Sequence, residues 1–119
     1  MNLITKLFGK TYNTVSPEDA RSILDAGGIL VDVRTGAEWN RGHAPEAIHI
    51  PLESIGRKDD RIRTGASIVV MCQSGHRSAV AARVLAGQGQ TVSSLAGGLP
   101  RWAKAGNPID KSEGGSPSA

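Results

Sequence analysis

The chain has 119 residues, 39% hydrophobic and 21% charged, which suits one compact domain over residues 1–110 and excludes both a disordered chain and a disulfide-stapled miniprotein. Fourteen Lys and Arg against eleven Asp and Glu give a formal charge of only +3, and four aromatic side chains (Phe8, Tyr12, Trp39, Trp102) are too few to form a base-stacking platform. No nucleic-acid partner is expected; a small anionic substrate fits the charge better.

Residues 1–10 carry no basic stretch ahead of their apolar residues and no run of signal-peptide length. No other segment is long enough to span a membrane, so a cytoplasmic chain with no membrane partner is expected. A helix is predicted over residues 16–28. Ser16 caps it, Pro17 suits the first turn, Asp19 stands three residues after the cap, Ala20, Ile23 and Leu24 mark one face, and Gly27 and Gly28 end it. Ile29 to Val33 is a short β-branched run interrupted by a charge, the pattern of a buried parallel strand reaching the sheet edge. Thr35 and Glu38 repeat the capping-box spacing and predict a short helix carrying Trp39, which Gly42 and Pro45 break.

Ile48 to Ile50 is a second strand, Pro51 to Ile55 a helical turn, and residues 57–65 (RKDDRIRTG) an exposed connection of mixed charge. A strand–loop–helix unit follows. Ile68 to Met71 forms its strand and Cys72 to Gly75 its loop, and a helix over His76 to Ala86 is expected to place Val80, Ala81, Val84 and Leu85 on one side. Thr91 to Leu95 reads as a further strand and Leu99 to Ala105 as a last short helix, before a flexible Ser/Gly/Pro-rich tail at 111–119. Alternating strands and helices imply an α/β fold whose parallel sheet is covered on both faces. Sites in such folds form at the carboxyl ends of the strands, where Cys72 stands.

Cys72 is the only cysteine, which excludes an intrachain disulfide, a CxxC redox pair and a cysteine-based zinc site. His43 and His49 lack partners at metal-ligand spacing and are assigned to structure, so no metal and no cofactor are expected. The segment Cys72-Gln73-Ser74-Gly75-His76-Arg77-Ser78 joins a buried strand to a helix start, where backbone N–H groups and the helix dipole converge on an anion. Such a site favours thiolate over thiol. Gly75 gives the loop its freedom, Ser78 supplies a hydroxyl, and Arg77 occupies a first helical turn that suits a cation only when an anion is near. The alternative for Cys72 is a small buried hydrophobe. Asp32 and Arg34 flank a strand end and read as a supporting ion pair rather than as chemistry. His76 either tunes donor specificity or faces solvent, and Trp39 and Trp102 read as packing residues.

The chain resembles the rhodanese-like, single-domain sulfurtransferases over residues 12–108. Besides the Cys72 loop, the resemblance rests on Val31 to Arg34 followed by Glu38 and Trp39, on residues 42–51 (GHAPEAIHIP) and on residues 95–102 (LAGGLPRW). Ala44 and Glu46 depart from the family's usual Ile and Gly in a turn remote from the chemistry. The resemblance implies a rhodanese-like sheet of about five strands. It also implies a Cys72 thiolate that takes the outer sulfur of a small anionic donor such as thiosulfate, or of a protein persulfide, and passes it to cyanide or a thiol. The amides of Gln73 to Arg77 would stabilise the anions, and Arg77 would help bind the donor. A monomer is expected. Two rivals stay open: a persulfide carrier or binding module for a protein partner, and a Cys-based phosphatase. The phosphatase loop is longer by one residue than the segment between Cys72 and Arg77.

Overall fold

A computed structural model of the chain describes residues 11–111, so the N-terminal segment and residues 112–119 of the expected tail lie outside the described residues. The elements run β1 (Asn13–Val15), α1 (Pro17–Asp25), β2 (Ile29–Asp32), α2 (Gly36–Arg41), β3 (Ile48–His49), a 3-10 turn (Leu52–Ser54), β4 (Ser67–Met71), α3 (His76–Gly87), β5 (Thr91–Leu95) and α4 (Gly98–Lys104). The strands form a five-stranded sheet in the order β1-β5-β4-β2-β3, and every pair is parallel. Among the described residues no helix is long and apolar enough to cross a membrane.

The central strand β4 has no polar face because both faces are covered. Ile68, Val70 and Cys72 point into one core with Val31, Val33, Val92 and the α3 residues Ala81, Ala82 and Leu85. Val69 and Met71 point into the other, with Leu30, Leu95, Ala20 of α1 and Trp102 of α4. Two-residue alternation thus feeds opposite layers from one apolar run.

The helix starts follow the sequence signals. Ser16 accepts the Asp19 N–H at 3.1 Å, and at α2 Thr35 accepts the Glu38 N–H at 3.2 Å while Glu38 accepts the Thr35 N–H at 2.9 Å. Three expectations change. Helix α1 stops at Asp25, three residues short of Gly28, because Gly27 takes φ +105° and turns the chain into β2. Strand β1 was not expected: it has three residues and no alternation of burial, and it exists by pairing with β5 at the sheet edge. On α3 the buried face is Ser78, Ala81, Ala82 and Leu85, whereas Val80 and Val84 are 45% and 37% exposed. Small residues at that spacing let α3 lie close to the sheet, and the valines fall on the outer side.

Asp32 and Arg34 form the ion pair that closes the carboxyl end of β2. Arg34 donates through Nε at 3.0 Å and Nη2 at 2.8 Å, and its backbone N–H binds Asp32 Oδ1 at 2.9 Å; the side chains are 0% and 2% exposed. Arg34 also donates to the Gly42 carbonyl at 2.7 Å and so ties β2 to the loop after α2. Breaking a buried pair strands a charge. Asp32→Asn is expected to cost about 3–5 kcal/mol in urea unfolding. Asp59→Asn, at the more exposed pair with Arg61, should cost less than about 1 kcal/mol.

Candidate active site

Helix α3 begins without a capping side chain, because Gly75, in the left-handed region at φ +117°, stands at its N-cap. The cap comes instead from three residues upstream. The Ser78 N–H, which an N-cap oxygen would ordinarily satisfy, donates to Cys72 Sγ at 3.3 Å, and the Gly75 N–H donates to the same sulfur at 3.0 Å. Strand β4 delivers Cys72, fully buried, to this position at its carboxyl end.

The acidity of the thiol is a balance of opposed effects. Burial pushes it up, and hydrogen bonds from the Ser78 backbone and side chain and from the Gly75 and Ser74 backbone pull it down; the donors prevail, so the thiol lies below its ordinary value. The Ser78 hydroxyl is held at 3.1 Å from the Gly75 carbonyl and at 2.9 Å from Ser94 Oγ. Ser94 comes from β5 and is itself buried.

Besides β5, three other elements brace the loop. Arg34 Nη1 donates to Gln73 Oε1 at 3.2 Å, so the β2 ion pair reaches the residue after the cysteine. The Leu99 N–H at the start of α4 donates to the Cys72 carbonyl at 3.0 Å. Gly98, at φ +65°, makes that approach possible, since a Cβ there would collide with the backbone of Cys72 and Gln73, the Cys72 carbonyl oxygen lying 2.7 Å away. Helix α2 supplies Glu38, which accepts from Arg77 Nη1 at 2.7 Å and Nη2 at 2.9 Å. That fork, together with Thr35, holds the Glu38 carboxyl down at about 2.

All the residues singled out in the loop therefore come together, with two adjustments. Arg77, expected to help bind an anionic donor, donates from each of its terminal nitrogens to Glu38. His76 lies exposed at the rim with Ser74, while Gln73 is part-buried. Trp39 packs away from the loop, stacked on His43 at 3.5 Å and His49 at 4.7 Å between ring centroids. The two histidines donate to the carbonyls of Trp39 and Arg34, which gives them the structural role expected. Among the described residues no three His, Cys, Asp or Glu side chains gather as a metal-binding group.

Sequence reasoning missed the roles of Ser94, Gly98 and Leu99 and the partnership of Glu38. Two adjacent glycines ahead of a helix, rather than after one, were the available signal for a close backbone approach. Ser94 lies in a strand of ordinary composition and gave none.

Residues 16–105 match the family described as rhodanese-like domain. A thiosulfate sulfurtransferase, GlpE, of Pseudomonas savastanoi is 33% identical over 92 residues, covering 76% of this chain and 87% of that protein. A sulfurtransferase of Allochromatium vinosum is 39% identical over 87 residues, covering 72% and 81%. The crystal structure of a rhodanese-related protein from Thermoplasma volcanium superposes with a TM-score of 0.74 at 26% identity, covering 83% of this chain and 98% of that one.

The hydrogen-bond balance at the sulfur sets a measurable titration. Alkylation of Cys72 by iodoacetamide should reach half its maximal rate at a lower pH than alkylation of an unperturbed free thiol does. Ser78→Ala keeps the backbone donors and removes the hydroxyl, so its midpoint should move upward. An unmoved midpoint would show that the hydroxyl contributes nothing to the thiolate.

Proposed function

The chain belongs to the rhodanese-like domain family, and we propose that it is a sulfurtransferase in which Cys72 carries the sulfur as a persulfide. The observation that carries this reading is the Cys72 sulfur at the mouth of α3, taking two backbone N–H groups that a neutral thiol would use poorly and an anion uses well. No movement of these dipoles is needed when charge develops there.

With thiosulfate as donor, the Cys72 thiolate attacks the outer sulfur. A bond forms between Cys72 Sγ and that sulfur, the sulfur–sulfur bond of thiosulfate breaks, and sulfite leaves with the electron pair. The terminal sulfur now on Cys72 is attacked by cyanide or a thiolate, and the departing electron pair restores the Cys72 thiolate. With a protein persulfide as donor, the leaving group is the donor's thiolate. Having a single cysteine suits this cycle, because an intrachain thiol would discharge the persulfide as a disulfide.

Of the rivals, phosphoryl transfer fits poorly. It needs an arginine fork turned toward the oxyanion, whereas the Arg77 fork is turned to Glu38. Asp32 and Arg34 act as supports: they hold the Gln73 side chain and the β2 end, and touch nothing that reacts.

Intact mass after exposure to thiosulfate tests the proposal. The wild-type chain should gain one sulfur atom and lose it on adding cyanide, with thiocyanate released in equal amount, and Cys72→Ser should gain none. A gain retained by Cys72→Ser would remove Cys72 from the mechanism; no gain with either thiosulfate or a persulfide would overturn the sulfurtransferase reading.

A further inference from the structure

Two ion pairs flank the Cys72 loop. Asp32 and Arg34 are buried against each other. Glu38 and Arg77 form the second pair, at the rim, with their side chains 18% and 34% exposed. Arg77 feels the charge of Cys72 as well as that of Glu38, so it stands within electrostatic range of the sulfur. Glu38 is fixed from three further directions by its α2 surroundings: the Thr35 N–H at 2.9 Å, the Thr35 hydroxyl at 3.1 Å and its own place in the first turn of α2. Its carboxylate therefore does not follow Arg77 if Arg77 moves.

The two pairs sum to zero. Attraction for an anion then comes from the amides at the start of α3, whose aligned dipoles amount to about half a positive charge. Those amides already serve the Cys72 thiolate, so pairing Arg77 with Glu38 withdraws from a dianionic donor twice the attraction it withdraws from a monoanion. We infer that Glu38 is a specificity-determining residue: by neutralising the Arg77 charge through the two-point ion pair it favours singly charged sulfane donors over the thiosulfate dianion. This rests on the sulfurtransferase reading above. The donor chemistry is the same in either case. Methanethiosulfonate, a monoanion, presents the same outer sulfur to the Cys72 thiolate; its sulfur–sulfur bond breaks and methanesulfinate leaves with the electron pair.

Glu38→Gln separates charge from structure, since glutamine at this position still completes a capping box and keeps the side-chain length. The first readout needs no sulfur transfer. The ratio of Cys72 alkylation rates by anionic iodoacetate and neutral iodoacetamide reports the potential at the sulfur, and in Glu38→Gln it should rise about twofold at low salt and less at high salt. Arg77→Gln leaves Glu38 unopposed and should lower the ratio below wild type, which keeps the test decisive if Glu38→Gln folds poorly. The double variant removes both charges and should return toward the wild-type ratio.

In sulfur transfer, Glu38→Gln should lower KM for thiosulfate about fivefold with kcat within about twofold, and change KM for methanethiosulfonate by about twofold or less. A ratio unmoved in both single variants would overturn the inference while leaving Cys72 chemistry intact. An equal change in KM for both donors would also overturn it, because charge would not be what is selected. If the ratio moves as expected but the wild-type chain takes sulfur from neither donor nor from a persulfide, the sulfurtransferase reading fails and the donor inference falls with it.

Discussion

The structure depends on a helix that has no cap of its own. Residue 75 must be glycine-like to turn from β4 into α3 with φ at +117°, and a glycine brings no side chain to meet the first N–H groups of the helix. The sulfur of Cys72 fills that place. One atom is thus both the end of the central strand and the acceptor that starts the helix behind it. An uncharged sulfur is a weak acceptor, so the same geometry that leaves the helix start poorly satisfied with a thiol favours the thiolate. The pull toward thiolate here follows from how the chain turns.

Holding that turn takes contributions from four other elements, each by a different interaction. Arg34 reaches Gln73 from β2, Ser94 meets Ser78 from β5, Leu99 binds the Cys72 carbonyl from α4, and Glu38 takes Arg77 from α2. Two are ion pairs or extensions of one, and the pairs differ in consequence. The Asp32–Arg34 pair is buried and rigid, and its main effect is on stability. The Glu38–Arg77 pair is more open, and its main effect is on the field that a substrate meets. The loop is therefore held from four sides, and the two ion pairs that flank it carry no net charge.

Much of this was legible in the chain. Capping signals at Ser16 and at Thr35 with Glu38 located α1 and α2, the apolar run before Cys72 located β4, and the order of elements required a parallel sheet with the cysteine at its carboxyl edge. Where expectation and structure part, the cause is contact across the fold. Strand β1 has too little pattern to be seen until β5 pairs with it. The outward turn of Val80 and Val84 follows from α3 lying close to the sheet on Ala81 and Ala82, a choice between two adjacent faces that local periodicity leaves undecided.

The sequence by itself determined the α/β class, the place of the lone cysteine at a strand end and the kind of loop around it, because these follow from local order: a buried run, then a cysteine, a glycine and a helix start in close succession. Tertiary structure alone decided what each polar group in that loop faces. Arg77 reads in sequence as a cation awaiting an anionic donor, and in the fold the anion it meets is Glu38, thirty-nine residues away along the chain. Ser94 and Gly98 likewise gain their roles only when β5 and α4 fold back against the loop. Partners so distant are set by sheet order and helix packing, which place side chains to within an ångström; spacing along the chain carries no such information.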